Sequence, residues 1–174
     1  MKPRLKSPTT ADNLGARLFL RFFLCYLAGC LAALLLGRLP ALSNAEGIGH
    51  HHFISVALAA LGGVLTVSKP YLLLLSLLRA ALDAEVLAYL FSKAHGGYGG
   101  FFTFKACLCY LAFSVLLFCV TAARACRFSA ESTGRDTALL LSRRFLVFTG
   151  EMLLLLALST LLYLLWPQLC QMLS

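Results

Sequence analysis

The sequence predicts an all-α protein, a polytopic membrane bundle of five transmembrane helices with a cytoplasmic N-terminus. Three observations lead there. Of its 174 residues, 60% are hydrophobic and only 13% are charged, whereas about a quarter are charged in ordinary soluble domains. The apolar residues form long leucine-rich blocks, where barrel strands would alternate in short segments. The basic residues gather at the ends of those blocks, where topology and lipid headgroups account for them. The formal charge of +8 therefore points to membrane lipid and not to nucleic acid, because no basic helix or aromatic-basic patch stands outside the membrane pattern.

Residues 1–17 read as a basic cytoplasmic tail carrying Lys2, Arg4, Lys6 and Arg17. The first helix is expected at 18–39, about 33 Å long and enough for the hydrocarbon core. Arg21 and Arg38 bracket it and can snorkel to opposite headgroup layers. No clean cleavage signal follows, so it reads as a retained helix and not a signal peptide. Gly29 among alanines offers a close-packing face. The second helix, 53–69, is short and interrupted by Gly62-Gly63; it spans with little tilt or re-enters. Lys69-Pro70 marks the next boundary, and proline suits a helix start.

The third helix, 70–93, carries Arg79, Asp83 and Glu85 in its middle. Charges at that depth are costly unless paired or hidden. Arg79 and Asp83 are spaced i,i+4 and share a face. Glu85 lies about 120° around the helix from Arg79, so it needs a partner helix, water or a proton. The loop AHGGYGG, Ala94 to Gly100, suits a tight turn. The fourth helix follows at 101–123. Residues 124–144 are the longest internal polar interval, and the fifth helix occupies 145–165. Trp166-Pro167 fits an interface and a helix end, leaving 168–174 as a short external tail.

The basic residues fix the expected orientation. With five crossings, the cytoplasmic side holds eleven Lys/Arg: Lys2, Arg4, Lys6, Arg17, Arg21, Lys69, Arg124, Arg127, Arg135, Arg143 and Arg144. The outer side holds three, Arg38, Lys93 and Lys105, and Arg79 stays in the membrane. The positive-inside rule favours this arrangement. A re-entrant pairing of the second and third helices preserves the same parity.

The chemistry-bearing motifs are sparse. The seven cysteines include no CxxC pair and read as small hydrophobes. The run His50-His51-His52 ends the first outer loop, and His95 falls in the next outer loop. Three consecutive side chains do not converge on one tetrahedral centre, and no Cys or Asp lies at ligand spacing, so no metal is expected. These histidines and Tyr98 read instead as a polar interface cap and partner-facing loop residues. No GxSxG, HExxH or GxGxxG motif is present, so no catalytic residue, cofactor or enzymatic activity is expected. Arg79, Asp83 and Glu85 form an expected intramembrane polar network, for packing and assembly or, alternatively, for ion or proton transport.

The order of features resembles the stage II sporulation protein M family of bacterial membrane proteins. The likeness rests on Gly97-Tyr98-Gly99-Gly100 followed by Phe101-Phe102, on Ser68-Lys69-Pro70 before the long third helix, on Gly29 and on Gly150. It spans most of residues 18–167. The chain departs from the pattern in its third helix, where Arg79, Asp83 and Glu85 stand among alanines in place of glycines. The resemblance implies a non-enzymatic scaffold in the bacterial cytoplasmic membrane, binding membrane or extracytoplasmic proteins such as peptidoglycan-degrading machinery in sporulation and engulfment. A second copy of the chain is among the expected partners. The alternatives are a small transporter or permease-associated subunit using the charged third helix, and a membrane-integrity factor.

Overall fold

The computed structural model describes residues 8–36, 48–65, 68–94, 98–132 and 143–173. They form an all-α bundle of five helices: α1 (Pro8–Leu36), α2 (Ile48–Gly62), α3 (Ser68–Ala94), α4 (Tyr98–Ser132) and α5 (Arg143–Leu173). Three of them contain a segment long and apolar enough to cross a membrane: Leu14–Leu35, Cys107–Glu131 and Arg143–Leu165. That is the footprint of a multi-pass membrane protein. α3 has the length but carries three central charges, and α2 is apolar but only 15 residues long.

α1 at its start and α4 and α5 at their ends outrun the apolar blocks that betray them. By contrast, α2 begins before 53 but stops at Gly62, short of the expected 69, at the Gly62-Gly63 pair. α1 starts at Pro8, ten residues before Leu18, with proline at the first helical position. α4 continues past Ala123, where Arg127 Nε and Glu131 Oε1 pair at 2.9 Å with i,i+4 spacing. α5 runs through Pro167 to Leu173, although proline forfeits an internal hydrogen bond. Hydropathy marks the part of a helix that lipid or core requires, not its polar extensions.

α4 is the central helix and packs against all four others. Over half of its apolar segment is buried (56%), against 22% and 17% for the segments of α1 and α5. The remaining faces of α1 and α5 are exposed leucine surfaces, among them Leu20, Leu31, Leu35, Leu153, Leu154 and Leu164. A soluble protein would bury such surfaces; lipid tails accept them.

Side-chain registers give the helix directions. Between α2 and α3, Gly62 meets Leu72, Ser55 meets Arg79 and His52 meets Asp83, so the two run antiparallel. Between α2 and α4, His52 lies on Tyr110 and Leu65 on Ser129, so these run parallel. α1 and α3 are parallel, with Cys25 at Leu73 and Gly29 at Leu77 and Ala80. α4 and α5 are antiparallel, through Arg124–Glu151 and Phe128–Phe148. Consecutive helices therefore alternate in direction.

Two glycines set how closely the helices approach. A Cβ on Gly29 would lie 2.8 Å from the Ala80 Cβ, so α1 and α3 meet there almost backbone to backbone. A Cβ on Gly63 would enter the Phe148 ring, which stacks on Phe128 with centroids 4.1 Å apart. α2 ends in i→i+3 bonds from Gly63, Val64 and Leu65 to Ala60, Leu61 and Gly62. The Ser129 hydroxyl donates to the Leu65 carbonyl at 2.7 Å and ties this end to α4.

Candidate functional site

Arg79 and Asp83 are the only buried Lys, Arg, Asp or Glu side chains among the described residues, with relative exposures of 1% and 0%. The i,i+4 spacing places both on the inner face of α3, where Arg79 Nε is 3.4 Å from Asp83 Oδ2. That contact is long. The shorter bonds of the guanidinium run to hydroxyls: Nη1 donates to Ser55 Oγ at 2.7 Å, and Nη2 donates to Ser114 Oγ. The Phe118 ring covers it from α4, with Cζ 4.9 Å from the centroid. Each nitrogen thus has a partner, and an aromatic face supplies the rest of the enclosure.

Asp83 divides its two oxygens. Oδ2 accepts the Tyr26 hydroxyl from α1 at 2.7 Å, beside Arg79. Oδ1 accepts from His52 Nε2 at 2.8 Å and His51 Nε2 at 3.0 Å, both on α2. Consecutive helical side chains diverge by about 100°, yet these two rings fold toward one oxygen. Their centroids are 4.0 Å apart in an edge-on arrangement. His52 also stacks on Tyr110 of α4, at 5.1 Å. The Ser55 hydroxyl donates to the His52 carbonyl at 2.8 Å, so it both fixes this turn and receives Arg79.

The resulting network joins α1, α2, α3 and α4 through buried polar contacts. Burial in a low-dielectric interior strengthens such bonds and makes any missing partner costly. Among the described residues two buried side-chain atoms have no hydrogen-bond partner: His52 Nδ1 within the network and Glu85 Oε2 outside it.

The residues singled out from the sequence fall into three groups. Arg79 and Asp83 come together as the i,i+4 geometry requires. Glu85 does not join them; two residues beyond Asp83, it sits about 200° around the helix. The histidines correct the expectation of a partner-facing cap. His51 and His52 lie in the first turns of α2, and His52 is 1% exposed and turned inward on Asp83. A buried carboxylate satisfies their donors better than an interface can. His50 and Tyr98 belong to the helical backbones of α2 and α4, and not to loops; His95 lies outside the described residues.

Sequence reasoning passed over Tyr26, Ser55 and Phe118. Tyr26 did leave a signal: it is a phenol in the middle of an apolar run, where a hydroxyl needs a partner. Ser55 follows His52 at i+3 on one face of α2, which is a weaker sign.

What this arrangement does chemically is to consume its own charge. The Arg79 guanidinium and the Asp83 carboxylate spend their hydrogen bonds on partners within the bundle. The chain matches no family model, no curated protein and no solved structure.

Proposed function

We propose that the chain is a non-enzymatic membrane scaffold that binds and localises partner proteins. In this reading all five helices cross the bilayer, with the N-terminus and the arginine-rich 124–144 interval in the cytoplasm. The alternating helix directions support five crossings, and the eleven-to-three distribution of Lys/Arg supports the orientation.

The observation that carries the proposal is the closure of the polar network on itself. Every nitrogen of Arg79 is spent on Ser55, Ser114 or Asp83, and each oxygen of Asp83 is spent on Tyr26, Arg79 or the two histidines. A transport path needs charged groups that face water or exchange partners. A network that pins four helices together instead favours a rigid unit, as a scaffold requires. The resemblance to the stage II sporulation protein M family points to peptidoglycan-degrading partners on the outer side, in a bacterial cytoplasmic membrane.

The test is cross-linking in native membranes followed by detergent solubilisation and identification of the cross-linked proteins. Cell-wall hydrolases joined through outer segments support the scaffold. A nucleotide-binding subunit, or ion flux in liposomes that falls in Asp83→Asn and Glu85→Gln, overturns it in favour of transport.

A further inference from the structure

We propose that His51, His52 and Asp83 form a binding site for a divalent transition metal of the zinc class. This goes beyond the scaffold reading and does not depend on it. The ligand atoms are His51 Nε2, His52 Nε2 and Asp83 Oδ1, all within 4.8 Å of one another. Two imidazoles and a carboxylate are a ligand set that zinc accepts, with one coordination position left open.

The two contacts to the carboxylate are close to zinc spacing. Zinc bound about 2.0–2.1 Å from each of two tetrahedral ligands sets them about 3.3 Å apart. The two histidine-to-Oδ1 distances are 2.8 and 3.0 Å. Each needs a few tenths of an ångström to reach that spacing, and the two Nε2 atoms, within 4.8 Å of each other, converge on the ion by side-chain rotation. The helix supplies two consecutive histidines, and α3 supplies the carboxylate that the local sequence lacks, 31 residues from His52.

The other half of Asp83 is already arranged as metal sites arrange it. Tyr26 donates to Oδ2 and Arg79 lies beside it, so the carboxylate is oriented with Oδ1 turned to the histidines. Binding requires the Nε2 lone pairs, so each ring carries its proton on Nδ1 instead. His52 Nδ1 has no competing hydrogen bond to break. Arg79 offsets the charge of Asp83, so the ion enters an otherwise neutral site and takes an anion or water in the open position. Entry is from the His51 side, whose side chain is 18% exposed while His52 and Asp83 are 2% and 0%.

The test uses the full chain, purified without a histidine tag, stripped with chelator and dialysed against zinc. Metal analysis is expected to find one zinc per chain, and X-ray absorption to find nitrogen and oxygen neighbours only. His51→Gln with His52→Gln keeps two N–H donors for Asp83 but removes both imidazole ligands. This variant should run as a monodisperse species of unchanged helicity and lose the zinc. Tyr26→Phe should retain the zinc with affinity lowered about 10- to 100-fold. Failure of the folded wild type to hold stoichiometric zinc overturns the proposal. So does equal zinc uptake by the folded double variant, which would place the metal on His50, His95 or cysteine.

Discussion

The Tyr26 hydroxyl donates to Asp83 Oδ2 at 2.7 Å, joining α1 to α3 across 57 residues of sequence. The bond is buried at both ends: Tyr26 is 6% exposed and Asp83 0%. A hydrogen bond to an ionised group contributes about 1.5–3 kcal/mol. Tyr26→Phe keeps the ring and removes the hydroxyl that makes this bond, so it should destabilise the bundle by about that amount. Unfolding in mixed micelles of detergent and denaturant, followed by circular dichroism, measures it. A phenylalanine variant as stable as the parent would mean that water replaces the bond.

Arg79 and Asp83 should behave as a unit. Removing one member of a buried ion pair strands the other, at about 3–5 kcal/mol. Arg79→Met and Asp83→Leu should each destabilise to that degree. Combined, they should cost clearly less than the sum, because the double variant buries neither charge. The same unfolding assay supplies the four corners of the cycle. Strict additivity would show that the serines, and not Asp83, are the partners that matter to Arg79.

How much of this could be read in advance follows from where each signal lies. The helices were legible because a membrane helix is a block of apolar sequence, and Arg79 with Asp83 because i,i+4 is a local relation. The third participant was not local. Asp83 is 31 and 32 residues from the two histidines that bind it, and no spacing rule links positions on two different helices. The histidine run looked like a polar cap because three imidazoles interrupt the hydropathy; the inward turn of His51 and His52 depends on what α3 places opposite. Glu85 misled for the converse reason. It is close in sequence to Asp83 but projects from a different side of the helix.

Helix approach should be read out by glycine substitution. At Gly29 a Cβ would sit 2.8 Å from the Ala80 Cβ and 3.2 Å from Leu77, so Gly29→Ala forces α1 from α3. Overpacking of this kind costs about 1–3 kcal/mol. At Gly15 and Gly150 an added Cβ would meet nothing within 4 Å. Alanine there should be neutral or stabilising by up to about 1 kcal/mol, the helix-propensity difference. Equal effects at all three positions would remove close packing as the reason for Gly29.

Two arginines separate burial from charge. Arg124 faces Glu151 across α4 and α5 at 3.7 Å, with side chains 53% and 40% exposed. It forms the same kind of pair as Arg79 but keeps its solvation. Exposed ion pairs contribute about 0–1 kcal/mol, so Arg124→Ala should leave stability within that range and Arg79→Ala should not. Raising the salt concentration screens exposed pairs far more than buried ones. The small effect at Arg124 should therefore vanish in high salt, while the large effect at Arg79 persists. A salt-sensitive Arg79 would mean that water reaches the guanidinium, and with it the closed network that supports the scaffold reading would be lost.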